Sequence, residues 1–330
     1  MKVGWQAVTL GGVPQWVSLR GDDPTAPVLL FLHGGPGASV YGPRRKYLRA
    51  LERRWRVVDW DQRGAGRSFR GDEDATVLTL ERLVLDGVEL IELVCKELGV
   101  ERVVLVGHSF GTVLGGLIAQ RAAARIRAYV GAAQVVRWAE QEELGYDWAL
   151  AEARRRGQVR AIEALEGLGR PVQGSYAGGV RALETERRWL ARLGGVSGEP
   201  SFVLGFVLST FTCVDYPVTA KLRYARAMRR SLECLWADLG RRVDFVRDVR
   251  TIDVPLVLYA GRRDHITDLS LIELWHATVE APEKRLEVVD DVGHLAPFEA
   301  PDRFTACLER VRGTCSSRPR GDGATRREDG

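Results

Sequence analysis

The pentapeptide Gly107-His108-Ser109-Phe110-Gly111 fits the pattern G-x-S-x-G. Before it, RVVLVGH (102–108) is an apolar run that reads as a buried strand; after it, residues 111–125 have helical spacing. That context is what the pattern needs. A serine on a sharp strand-to-helix turn is held in a strained backbone conformation, and its neighbours two before and two after must be small. The turn lifts the hydroxyl out of the sheet edge and sets it at a helix N-terminus, where developing negative charge is favoured. A glycine-rich turn with a surface serine is the plainer alternative. The flanking strand and helix favour the catalytic reading, with Ser109 as nucleophile.

A serine hydroxyl is a weak nucleophile until a base takes its proton, and the base needs an orienting acid. Around a G-x-S-x-G elbow the chain order is serine, acid, histidine, each in a loop after a strand. Asp264 follows the strand VPLVLYAG (254–261) and is the preferred acid. Asp268 lies at the expected start of a helix, where N-capping accounts for it, and Asp253 precedes its strand. His294, in LEVVDDVGHLAPFEAP, stands between the last strand and the last helix and is the preferred base. The other histidines have plainer readings: His33 ends a strand, His108 adjoins the nucleophile, His265 abuts the acid and His276 lies within a helix. No pair of them has metal-ligand spacing with a carboxylate, so neither a metal nor another cofactor is expected.

Acyl transfer places negative charge on the carbonyl oxygen, and that charge needs donors. One is the backbone N–H of Phe110, directly after the nucleophile. The second comes from the loop after PVLLFLH (27–33), in which Gly34 or Gly35 lets the backbone approach the substrate without a Cβ. Pro36 has no N–H and stiffens that loop.

These residues must be held by a frame. WQAVTL (5–10) and QWVSLR (15–20) flank Gly11-Gly12 and predict an antiparallel hairpin. Continuous apolar runs at 27–33, 55–61, 102–108 and 126–133 alternate with helical patterns at 80–99 and 111–125. The alternation predicts an α/β architecture: a mainly parallel sheet flanked by helices. From about Arg137 the period becomes helical, with no clear buried strand, and the strand pattern returns at 254–261. The expected division is a catalytic α/β domain in two parts, 1–135 and 245–312, interrupted by a helical cap at 136–244. A polar, glycine-rich tail at 313–330 is expected to be disordered.

HGGPG (33–37), DQRGAGRS (61–68), GHSFG (107–111), GRRD (261–264) and GHLAPFEAPDRF (293–304), in this order, resemble the α/β-hydrolase superfamily. Within it, HGGPG with DQRGAGRS is similar to the prolyl aminopeptidase (proline iminopeptidase) group. The resemblance implies an α/β-hydrolase fold and assigns the triad roles to Ser109, Asp264 and His294. It treats 61–68 as a structural turn beside the site. The elbow departs from the group, whose members resemble GGSWG where this chain has GHSFG. Epoxide hydrolase and haloalkane dehalogenase chemistry is disfavoured, because those members of the fold use an aspartate where Ser109 stands. In the prolyl group, acidic side chains of the cap recognise the free amine of an N-terminal proline. Glu140, Glu142, Glu143, Asp147, Glu184 and Glu186 are the cap carboxylates available for this, with Glu184 and Glu186 as the substrate-binding candidates. The expected activity is a serine hydrolase releasing N-terminal proline or another small residue from short peptides or amides. An esterase or lactonase on the same triad is the alternative, and a non-catalytic binding protein of this fold comes third.

The totals agree with an enzyme of this kind. The chain has 330 residues, 45% hydrophobic and 28% charged, with a formal net charge of +4. Between Arg137 and Arg242 there are 17 basic and 13 acidic residues, an excess of four that accounts for the net charge. They are spread along helical patterns, so they read as a solvated face and no nucleic-acid partner is expected. The five cysteines form no C-x-x-C pair and read as reduced thiols. The N-terminus has no apolar core of a secretory signal, and no window reaches the length of a membrane span. A cytoplasmic protein without a membrane partner is expected, acting on a small molecule or short peptide.

Overall fold

The computed structural model describes residues 1–314. Alternation at the N-terminus produces the hairpin of β1 (Gly4–Leu10) and β2 (Val13–Arg20) around Gly11-Gly12. The apolar runs become β3 (Val28–Leu32), followed by a short helix α1 (Tyr41–Tyr47), and β4 (Arg56–Asp61). Every residue of β3 is buried, because helices cover both faces of the sheet. Helix α2 (Leu80–Leu98) starts on Thr79, whose side chain accepts the N–H of Arg82, and ends on Gly99 in the left-handed conformation. Then come β5 (Val103–His108), α3 (Phe110–Arg121) and β6 (Ile126–Ala132).

Five helices follow with no intervening strand: α4 (Trp138–Arg155), α5 (Val159–Leu168), α6 (Gly179–Leu193), α7 (Pro200–Thr212) and α8 (Val218–Arg242). They form an inserted helical cap. The one-turn helix α9 (Phe245–Asp248) leads back to β7 (Leu256–Gly261), α10 (Leu269–Thr278) and β8 (Lys284–Val289). The short α11 (Ala296–Glu299) and the helix α12 (Pro301–Thr314) complete the described chain. The expected tail, apart from Gly313 and Thr314 at the end of α12, lies outside the described residues.

The sheet order is β1-β2-β4-β3-β5-β6-β7-β8, antiparallel at β1–β2 and β2–β4 and parallel elsewhere. The strand order reverses at β3, which lies between β4 and β5. That is the crevice where open α/β sheets bind ligands, at the C-terminal ends of the strands. The register sets the site: Leu32 of β3 pairs with Gly107 of β5. His33-Gly34 and His108-Ser109 therefore leave the sheet side by side.

Candidate active site

Ser109 has φ 54° and ψ −126°, a conformation that costs a non-glycine residue about 1–3 kcal/mol. Its surroundings hold it there. Its N–H donates to Ala132 O at 3.0 Å, and its carbonyl accepts from Thr112 N at 2.7 Å and Thr112 Oγ1 at 2.6 Å. The glycines beside it are required by backbone contact. A Cβ on Gly107 would stand 2.6 Å from Gly111 O, and one on Gly111 would stand 2.2 Å from Leu32 O.

Three loops converge on the serine. His294 Nε2 lies 2.8 Å from Ser109 Oγ, and His294 Nδ1 lies 2.9 Å from Asp264 Oδ2. Asp264 is buried and accepts further N–H donors from Ile266 at 2.8 Å and Thr267 at 2.9 Å, together with the Thr267 hydroxyl. Burial pushes its carboxyl up, but the neighbouring His294 and these donors more than offset that, and the net shift is downward. With the aspartate ionised, His294 carries its proton on Nδ1 and presents Nε2 to the serine as an acceptor. Asp268 caps α10 by accepting from Ser270 N, the plainer role expected for it.

The glycine loop lies against Ser109. A Cβ on Gly34 would sit a tight 3.0 Å from Ser109 Cβ, and Gly35, at φ +118°, demands glycine. Phe110 is the first residue of α3, where backbone N–H groups have no intrahelical acceptor. Two histidines brace this arrangement. His33 Nδ1 lies 2.8 Å from Gly34 O, while its Nε2 accepts the N–H of Gln62 at 3.3 Å and Gln62 Nε2 donates to His33 O at 3.0 Å. This is the physical link between HGGPG and DQRGAGRS. His108 Nε2 lies 3.0 Å from His294 O and ties the turn at Ser109 to the loop of His294. Burial lowers His33 to about 4 and His108 to about 3, so both stay neutral and structural at ordinary pH. Neither role was legible from spacing alone, nor was that of Thr267.

A cavity of about 610 Å³ opens over Ser109, His294, Gly34 and Gly35. Its far walls come from the cap and are mostly apolar, including Trp138, Leu183, Phe206, Met228 and Trp236. Glu142 and Arg187 give it a charged end. Arg187 Nη2 contacts both carboxylate oxygens of Glu142 at 2.5 and 2.6 Å, and its Nη1 reaches Glu186 Oε2 at 2.5 Å. Both glutamate side chains are fully buried. Burial pushes Glu142 up to about 7 against the pull of Arg187, helped by the repulsion of Glu186. Of the two substrate-binding candidates in the cap, Glu184 lines the cavity but is paired with Arg229 at 2.8 Å, and Glu186 stands behind Arg187. Glu142, one of the wider set of six, is the buried carboxylate at the cavity. Among the described residues no cluster of histidine, cysteine and carboxylate side chains could hold a metal ion.

A model of the Alpha/beta hydrolase family matches residues 29–306. The chain belongs to that family. It is 27% identical over 305 residues to the probable aminopeptidase YbaC of Bacillus subtilis (strain 168), covering 92% of this chain and 94% of the relative. It is 26% identical over 309 residues to epoxide hydrolase A of Mycobacterium tuberculosis (strain ATCC 25618 / H37Rv), covering 87% and 90%. Among solved structures, a proline iminopeptidase-related protein from Thermus thermophilus superposes with a TM-score of 0.66 at 22% identity, covering 96% of this chain and 99% of that one. The chain is a member of this hydrolase family that resembles the prolyl aminopeptidases.

Proposed function

We propose that this hydrolase is a serine aminopeptidase that releases an N-terminal apolar residue, proline among them, from short peptides or amides. Ser109 Oγ attacks the carbonyl carbon as its proton passes to His294 Nε2. Asp264 orients His294 and stabilises the imidazolium. The N–H groups of Phe110 and of Gly34 or Gly35 receive the oxyanion. The proton on His294 then goes to the leaving amine, and water, deprotonated by the same histidine, hydrolyses the acyl-enzyme.

The observation that carries the amine specificity is the pair of buried carboxylates, Glu142 and Glu186, held by Arg187 at the end of the cavity. Two carboxylates share one guanidinium, so the ionised cluster has an unbalanced negative charge that a substrate ammonium would offset. Gln141, beside it, has a buried Oε1 without a hydrogen-bond partner. An acceptor at that depth favours a ligand that donates. The names of the Bacillus and Thermus relatives support the same reading, and the cavity has room for side chains larger than a pyrrolidine ring. The serine at the elbow sets this chain apart from epoxide hydrolases that use an aspartate there.

The apolar walls favour one second reading, an esterase for apolar acyl groups on the same triad. Proline, leucine and phenylalanine p-nitroanilides, tested beside their N-acetyl forms and p-nitrophenyl acyl esters, separate the two. The aminopeptidase reading expects turnover of free-amine anilides and at least a tenfold loss on acetylation. Efficient ester turnover with no anilide turnover would replace it with the esterase.

A further inference from the structure

Helix α7 is apolar on nearly all sides, PSFVLGFVLSTFT, and a helix of that composition is normally buried all round. Only one side of α7 is covered. Phe202 packs on Tyr47 with ring centroids 5.0 Å apart, and Phe206 packs on Phe298 at 4.9 Å. The opposite side presents Leu204, Val207, Leu208 and Phe211 to solvent, a spacing of three and four residues that makes one stripe. The stripe continues through Val214, 94% exposed, to Val218 and Leu222 on the first turns of α8, the last of them 81% exposed. Phe211 and Tyr224, with centroids 6.0 Å apart, hold the two helices together there. Of the 13 large apolar residues exposed among the described residues, seven fall between 204 and 222. This is a patch, not scatter, and such patches mark contact surfaces.

Charge identifies the occupant. From 200 to 226 the only acidic residue is Asp215, which is engaged by Arg45 at 3.0 Å and Arg20 at 3.6 Å. Lys221, Arg223 and Arg226 follow the stripe along α8, and both arginines are exposed. At 13 residues α7 is too short to cross a bilayer, and no described helix is long and apolar enough to do so. A short apolar stripe edged by cations suits a helix lying in the plane of a membrane interface. We propose that the α7–α8 hairpin docks the protein on an anionic lipid surface, with the stripe among the acyl chains and the cations at the headgroups. The expectation of no membrane partner rests on the lack of a span, which interfacial docking does not need. Phe206 and Tyr224 line the cavity, so docking would set the site beside the bilayer.

Flotation of the full chain with vesicles of phosphatidylglycerol or phosphatidylcholine tests this. The wild type is expected to float with the anionic vesicles, less with the zwitterionic ones, and less again at high salt. Val214→Asp/Leu222→Asp should reduce recovery at least tenfold. Arg223→Glu/Arg226→Glu should do the same, since each cation near an anionic surface strengthens binding by roughly fivefold. Circular dichroism and turnover of a soluble ester check that the variants are folded. No flotation of the wild type at low salt, or variants that float as well as the wild type, overturns the proposal. So does a dimer in sedimentation equilibrium that Val214→Asp/Leu222→Asp dissociates while vesicles bind nothing, because a second copy would then cover the stripe.

Discussion

At the scale of single residues, the proposed substrate amine makes the charge state of Glu142 matter. Burial holds its carboxyl up at about 7, so the cluster with Arg187 and Glu186 loses its excess negative charge as pH falls through that value. A substrate amine loses its own charge above about 8. The ratio of kcat/KM for a free-amine anilide to that for a neutral ester, which cancels whatever the two reactions share, should peak between these limits and fall on the acid side. Glu142→Gln should flatten the acid limb and raise KM for the anilide roughly tenfold to a hundredfold, while leaving the ester little changed. An unchanged ratio in the variant would remove Glu142 from substrate recognition. The residue types of Ser109, Asp264 and His294 were legible because each follows a strand in a local pattern. Glu142 was not separable from its neighbours, because its partner Arg187 lies 45 positions away and only tertiary packing buries the carboxylate against it.

At the scale of elements, the motif glycines do two different jobs. Gly99 ends α2 at φ +62° with nothing within 4 Å of a Cβ, so Gly99→Ala should cost only the left-handed penalty, about 1 kcal/mol. A Cβ on Gly111 would instead strike the carbonyl of Leu32 in β3, so Gly111→Ala should cost about 3 kcal/mol or prevent folding. Urea denaturation compares them, and equal midpoints would contradict the packing account of the elbow. The strands and most helices were readable because their apolar positions recur with a period or run without a break. Helix α7 was not, since its sequence is apolar on the side facing solvent as well as the side facing the core. The stretch DQRGAGRS was readable only as a turn. In the structure each of its first residues fastens a different element. Asp61 accepts from Ser39 and Tyr216, Gln62 donates to His33 from its backbone and its side chain, and Arg63 holds Asp86 of α2 at 2.7 Å.

At the scale of the whole molecule, the cap and the sheet share the site, and identifiable bonds join them. Tyr216 in the cap donates to Asp61 at 2.8 Å, and Ser231 of α8 donates to Gly64 O at 3.1 Å. Glu299 accepts from Ser197 and Gly198, just after α6, and from Gly293, next to the proposed base. The cap therefore positions the histidine loop as well as roofing the cavity. The proposed activity requires Ser109 to be a nucleophile activated through His294 and Asp264. Intact-mass measurement after treatment with a fluorophosphonate tests it most directly. One adduct per chain is expected on the wild type, none on Ser109→Ala and a strongly slowed reaction on His294→Ala. A folded wild type that takes no label, or a Ser109→Ala variant that labels as fast, would contradict it.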